Sequence, residues 1–192
     1  MNKIMFLKVY GRRILAQDSF DRSNGALGTA EIGGAWTVNN GSVSIVSNKA
    51  KGGSATATTD TATLVMGQLD YEISVDITWY TGEVVSVFAR CAASGFSDLM
   101  RLRYDGTDIV ITKIISGSST TLATAALSWT SGTTKRLALS CVGNTFVGYV
   151  DKVQYVNATD DNTTKTRYNV GFGAFAAAAP ASLFDNFLVM GV

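Results

Sequence analysis

Between residues 71 and 80, apolar side chains fall at Tyr71, Ile73, Val75, Ile77 and Trp79. Glu72, Ser74, Asp76, Thr78 and Tyr80 fall between them. A strict period of two sends one set toward a core and the other toward water, which predicts a half-buried strand. A helix would scatter the same apolar residues around its circumference. Residues 99–104 repeat the pattern, with Met100, Leu102 and Tyr104 alternating with Arg101 and Arg103, and end at the hairpin-turn dipeptide Asp105-Gly106. Residues 109–115 are nearly continuous β-branched sequence and read as the partner strand, with Gly117-Ser118-Ser119 closing the next turn. Residues 135–142 lead through Gly143-Asn144 into 145–150, and Asp151-Lys152 turns the chain into 153–156. With 43–47, 84–91, 170–175 and 184–189, about ten strands are predicted.

No stripe of helical period is present. Ala176 to Ala179 precede Pro180 and are too few to nucleate a helix. Many short strands separated by turns predict an all-β fold, a two-sheet antiparallel β-sandwich of jelly-roll type. Residues 18–192 are expected to form a single domain. The chain has 192 residues, within reach of one core.

Residues 1–17 differ from the rest. They carry Lys3, Lys8, Arg12 and Arg13 without an acid, whereas the whole chain carries a net +1. With Phe6, Leu7 and Tyr10 among these cations, the segment reads either as a first strand or as an arm docking on a neighbouring subunit. Its apolar run, Ile4 to Leu7, is shorter than a signal peptide needs, so export by that route is not expected. No run approaches the length of a membrane span, so no membrane insertion is expected.

Charge and composition narrow the chemistry. Charged residues make up 16% of the chain and nearly cancel, which excludes a broadly basic nucleic-acid binder. Histidine is absent, and with it the commonest general base and metal ligand. Cys91 and Cys141 cannot build a four-thiolate zinc site; buried free thiols and a mutual disulfide both remain open.

Asp18-Ser-Phe-Asp-Arg-Ser-Asn-Gly-Ala-Leu-Gly28 followed by Gly34-Ala-Trp36, together with the closing Leu183-Phe-Asp-Asn-Phe-Leu-Val189, resembles laminin-G-like, concanavalin A-like lectin/glucanase jelly rolls. Leu137-Ala-Leu-Ser, Gly143-Asn-Thr-Phe and Tyr149-Val-Asp-Lys match the later strands of the same family. The Asp-x-Phe-x-Arg opening looks most like the versions found in bacteriophage virion proteins. That resemblance implies a non-enzymatic structural subunit of a virion, a capsid decoration or tail-associated protein, assembled in the host cytoplasm. Its partners would be other virion proteins and further copies of itself in a homo-oligomer. The alternative it implies is a carbohydrate-binding module for host surface glycans.

Each implied chemistry selects residues. Glycoside hydrolysis needs two carboxyl groups at set spacing. The chain has only Glu31, Glu72 and Glu83, and Glu72 with Asp76 on one wet strand face reads as solvated surface charge. No Ser-x-x-Lys or Gly-x-Ser-x-Gly motif is present, so no enzyme is expected. The family often binds calcium where first and last strands meet, which selects Asp18, Asp185 and Asp21 as ligands of a structural calcium, with Asn24 nearby. The competing reading gives Asp18, Asp21 and Asn24 to turns and caps. Asp160-Asp161-Asn162 reads as a solvated turn or a lesser cation site. Glycan binding calls for aromatic platforms beside Asn, Asp or Arg at loop tips. Trp129 near a Gly132 turn, with Tyr80, Arg101 and Arg103 on polar strand faces, is the candidate set, and Trp79 is assigned to the core.

Overall fold

The structure, a computed structural model, describes residues 8–9, 11–52, 59–92, 97–161, 164, 166–176 and 181–192. Among these the chain is all strand and turn. Its first half contains β1 (Lys8–Val9), β2 (Arg12–Asp18), β3 (Gly25–Ala26), β4 (Thr37–Asn40), β5 (Val43–Ile45) and β6 (Ala50–Gly52). There follow β7 (Thr59–Val65), β8 (Tyr71–Thr78) and β9 (Glu83–Cys91). The second half adds β10 (Leu99–Tyr104), β11 (Asp108–Ile115), β12 (Ser118–Ala126) and β13 (Thr134–Val142). β14 (Thr145–Val150), β15 (Val153–Thr159), β16 (Asn169–Ala176) and β17 (Leu183–Gly191) complete it.

Two antiparallel sheets form the sandwich. One runs β15-β14-β13-β8-β17-β6-β5-β3, with β2 also on β17 and β1 on β2; the other runs β12-β11-β10-β9-β16-β7-β4. Alternation fills the space between them. Ile73, Val75 and Ile77 face Val85, Val87, Met100, Leu102 and Ile111 in one continuous core. An aromatic group of Phe20, Trp36, Phe172, Phe184 and Phe187 packs at centroid spacings of 4.7–6.1 Å.

The predicted domain boundary at residue 18 falls inside a strand. β2 pairs with β17, Asp18 opposite Phe187 and Ala16 opposite Val189, and Ala16 is fully buried. Arg12 and Arg13 therefore sit in the sheet rather than in an arm, and Lys8 belongs to β1 beside them. Lys3, Phe6, Leu7 and Tyr10 lie outside the described residues. Strands that the alternation did not announce have physical reasons for silence. β12 is an exposed edge of Ser, Thr and Ala, and β7 carries a buried carboxylate, Asp60, on its inward side.

One buried cation closes the core. At Arg90 the backbone adopts φ 48°, and the side chain is fully buried. Its guanidinium donates to Leu69 O, Gly143 O and Asp70 Oδ1 and lies 5.0 Å from the Phe146 ring centroid. Its backbone N–H donates to the Tyr71 hydroxyl at 2.8 Å. Nothing in the periodicity of β9 separates this arginine from its apolar neighbours. Cys91 and Cys141 are both free and buried, so of the two readings the disulfide is not formed.

Candidate glycan-binding site

The outward positions of the seven-stranded sheet end, at the close of β7 and the start of β16, in a hollow whose lining is more apolar than polar. Register places Asn169 opposite both Val65 and Cys91, and all three lie on the outer side by alternation. Tyr168 immediately precedes β16 and is tied in place by its carbonyl, which accepts from Met66 N at 2.9 Å. Ala92 N donates to Asp98 O at 2.8 Å, and Asp98 Oδ1 accepts from Ser116 N at 2.7 Å. The hollow encloses about 580 Å³ and is lined by Val65, Asp98, Arg167, Tyr168 and Asn169 among others.

Its walls differ in chemistry. Val65 is 69% exposed and Tyr168 45%, so an apolar surface and a phenol ring face solvent together. Arg167 Nη2 donates to Asp98 Oδ2 at 3.2 Å, which cancels the two charges. Asn169 is 94% buried, yet among the described residues its side-chain amide makes no hydrogen bond. The Arg167 Nε–H, buried as an atom, likewise has no partner there. A buried polar atom without a partner costs about 1–3 kcal/mol. The Arg167 Nε–H is such an atom, whereas the Asn169 amide atoms are not among the buried unpartnered ones and are open to the hollow.

The residues selected from sequence lie elsewhere. Trp129 is 5% exposed rather than at a loop tip: its Nε1 donates to Thr133 O at 3.1 Å, and its ring packs 5.1 Å from Tyr104 and 6.2 Å from Trp79. It is a core residue, as Trp79 is, because Tyr104 at the end of β10 and Trp79 just past β8 pack against its ring. Tyr80 sits past the end of β8, near the first residue of β9, whereas the hollow adjoins the last. Arg101 and Arg103 do occupy the outer face of the seven-stranded sheet. Arg103 pairs with Asp105 at 2.7 Å, and Arg101 Nε donates to Thr112 Oγ1 at 3.1 Å. Burial, with Arg103 adding repulsion, pushes Arg101 down to about 10.

The calcium ligand set does not fit a cation. Asp18 is fully buried, and its two oxygens accept four hydrogen bonds. Phe20 N and Arg22 Nη1 donate to Oδ1 at 2.9 and 2.8 Å; Arg22 Nη2 and Trp36 Nε1 donate to Oδ2 at 2.8 and 2.6 Å. A carboxylate with its lone pairs filled by donors, one of them a guanidinium, has nothing left to offer a hard cation. Asp185 is held by Lys49 and by Asn186 N, Asn24 Oδ1 accepts from Ser47 N, and Asp21 is exposed. Asp160 and Asp161 take Lys113 as their cation, at 2.5 and 3.4 Å; Asn162 lies outside the described residues. Asp76 also departs from the solvated reading: it is paired with Arg136 at 2.8 Å, while Glu72 meets Arg12 at 3.5 Å.

The sequence does contain a signal for the hollow. Arg167-Tyr168-Asn169 places an aromatic ring between an arginine and an asparagine just before a strand, which satisfies the loop-tip criterion without a tryptophan.

No family model and no curated protein sequence matches the chain. Solved structures do. The carbohydrate-binding module CBM66 from Bacillus subtilis superposes with TM-score 0.67 at 18% identity, over 80% of this chain and 94% of that one. A Bacillus subtilis protein of unknown function with a galectin-like fold gives 0.70 at 12% identity, over 93% and 96%. A Bacillus licheniformis β-glucanase gives 0.56 at 12%, over 92% and 97%. At these identities the likeness establishes the galectin-like, concanavalin A-like jelly-roll sandwich and nothing finer.

Proposed function

We propose that the chain is a non-enzymatic carbohydrate-binding domain that takes a neutral glycan into the Tyr168 hollow. The observation that carries this reading is the Asn169 amide, unbonded among the described residues, lining the same hollow as the half-exposed Tyr168 ring. A sugar ring presents a C–H face bordered by hydroxyls. Tyr168 and Val65 suit the first; Asn169, Arg167 and Asp98 suit the second. Because Asp98 and Arg167 neutralise each other, an uncharged ligand fits the hollow better than a charged one. The name of the carbohydrate-binding module among the similar structures agrees with this reading.

A binding role is also supported over hydrolysis. The two carboxylates on the wet face of β8 are each paired with an arginine, Glu72 with Arg12 and Asp76 with Arg136, an arrangement suited to holding a surface rather than to a free carboxyl pair. Attachment of such a domain to a bacteriophage particle, or its self-association there, is proposed on the sequence resemblance alone.

The test is a glycan array probed with the wild-type chain and with Tyr168→Ala. Binding of a defined neutral glycan by the wild type, weakened about thirtyfold by loss of a ring worth ~2 kcal/mol, is expected. A blank wild-type array, or unchanged binding by the variant, refutes the assignment.

A further inference from the structure

We propose a second binding site, for a neutral ligand bearing adjacent hydroxyl groups, on the outer face of the ten-stranded sheet. Four neighbouring strands, β13, β8, β17 and β2, contribute to a pocket of about 360 Å³ lined by Arg136, Asp76, Asn186, Gln17, Ile14 and Leu188 among others. That volume lies at the lower end of the range for small-molecule sites, enough for a single small guest.

The pocket is built around a departure from regular sheet. β17 opposes β8 with Asp185 at Asp76 and Leu188 at Ser74, so one extra residue is accommodated between them. Asn186 absorbs it with φ 48°, a left-handed conformation that a glycine would hold with less strain. An asparagine is kept in an inner strand at that conformation, and its side chain is used. Asn186 Nδ2 donates to Asp76 Oδ2 at 3.0 Å. Arg136 Nη1 donates to Asp76 Oδ1 at 2.8 Å, and Arg136 Nη2 donates to Ser74 Oγ at 3.0 Å and to Asn186 O at 3.1 Å.

This network orients the three side chains without exhausting them. Each Asp76 oxygen accepts one hydrogen bond from the described residues and retains a further lone pair. Among the described residues Asn186 Oδ1 accepts none, and the Arg136 Nε–H is not engaged. A fixed carboxylate beside a fixed guanidinium accepts from and donates to two neighbouring hydroxyls at once. The pair sums to zero charge, which favours an uncharged polyol over an anion or a cation. Ile14 and Leu188 offer apolar contact to its C–H groups. The two hollows belong to different sheets, so a single chain with both sites bridges two ligands.

The test is a 15N NMR titration with the methyl glycosides of glucose, galactose and mannose, each to roughly 0.1 M, a range that captures millimolar affinity. Saturable shifts of the Arg136 Nε–H and Asn186 side-chain signals are expected with at least one glycoside, in the wild type and equally in Tyr168→Ala. Asn186→Gly removes the amide and relieves the left-handed backbone, so it folds at least as stably, and it is expected to weaken binding about tenfold or more. Linear, non-saturating shifts with all three glycosides overturn the proposal. So does undiminished affinity in Asn186→Gly. Dependence of the Arg136 shifts on Tyr168 would assign them to the first hollow and also overturn it.

Discussion

Replacing Asp18 by asparagine keeps the size of the side chain and removes two of the four hydrogen bonds it accepts. The asparagine oxygen still takes one pair of donors. The new NH2 group faces donors at the other position, leaving two of Phe20 N, Arg22 Nη1, Arg22 Nη2 and Trp36 Nε1 unmet. Asp18 is fully buried, so water does not replace it, and the bidentate ion pair with Arg22 is lost as well. Breaking a buried pair by neutralising one partner costs about 3–5 kcal/mol, a large share of the ~5–15 kcal/mol of a typical domain. For a chain of this size that corresponds to a melting temperature lower by roughly 6–20 °C. Urea denaturation and calorimetry of wild type and Asp18→Asn measure the difference directly. Chelator and added calcium are both expected to leave the wild-type transition unmoved, because the Asp18 oxygens are already filled. A variant within about 1 kcal/mol of wild type, or a transition raised by calcium, would refute the assignment of Asp18 to a structural clamp.

Burial pushes the Glu83 carboxyl up from its ordinary 4.5, with the nearby Asp60 adding, against hydrogen bonds from Ser182 that lower it. The folded state therefore holds this proton more tightly, and stability should fall as pH rises from 4.5 through the raised folded value; Glu83→Gln flattens that limb in pH-dependent urea melts, and an unchanged slope contradicts it. Arg90→Met leaves the Leu69 and Gly143 carbonyls and the Phe146 face without their cation and should cost about 3–5 kcal/mol in urea denaturation. Burial pushes both Cys91 and Cys141 up to about 12, so neither should react with a thiol reagent at neutral pH until the protein is unfolded. Deleting residues 1–17 removes β2 from β17 and should unfold the domain rather than merely detach an arm, as read by circular dichroism.

The architecture was legible because alternation is a direct imprint of two-sided strands. β8 reads correctly through Ile77 since every second residue faces the same core. The same logic misleads where a strand is not half-wet. In β9, Phe88 packs outward with Cys91, Leu99 and Ile114 into a second small cluster, so both faces are apolar. Trp129 illustrates the limit of local context. Its neighbours Ser128 and Thr130 suggest a surface turn, but the residues that bury it, Trp79 and Tyr104, arrive from other parts of the chain. Asp18 shows the complementary difficulty: an acid at the junction of first and last strands suits a cation, and only the folded arrangement shows that Arg22 and Trp36, from the same opening motif, already supply the counter-charge and the donors. The Tyr168 hollow was hidden differently. Its aromatic and amide are adjacent in sequence, but Val65 joins them only through the pairing of β16 with β7, and Asp98 only through its ion pair with Arg167.

Recognition of a neutral glycan at the Asn169 amide is most directly tested by 15N NMR of the wild-type chain titrated with the strongest array ligand. The Asn169 side-chain NH2 pair, unbonded among the described residues, is predicted to move downfield and saturate together with the Tyr168 ring signals. Saturation with those signals unmoved would contradict the assignment of this hollow to sugar binding.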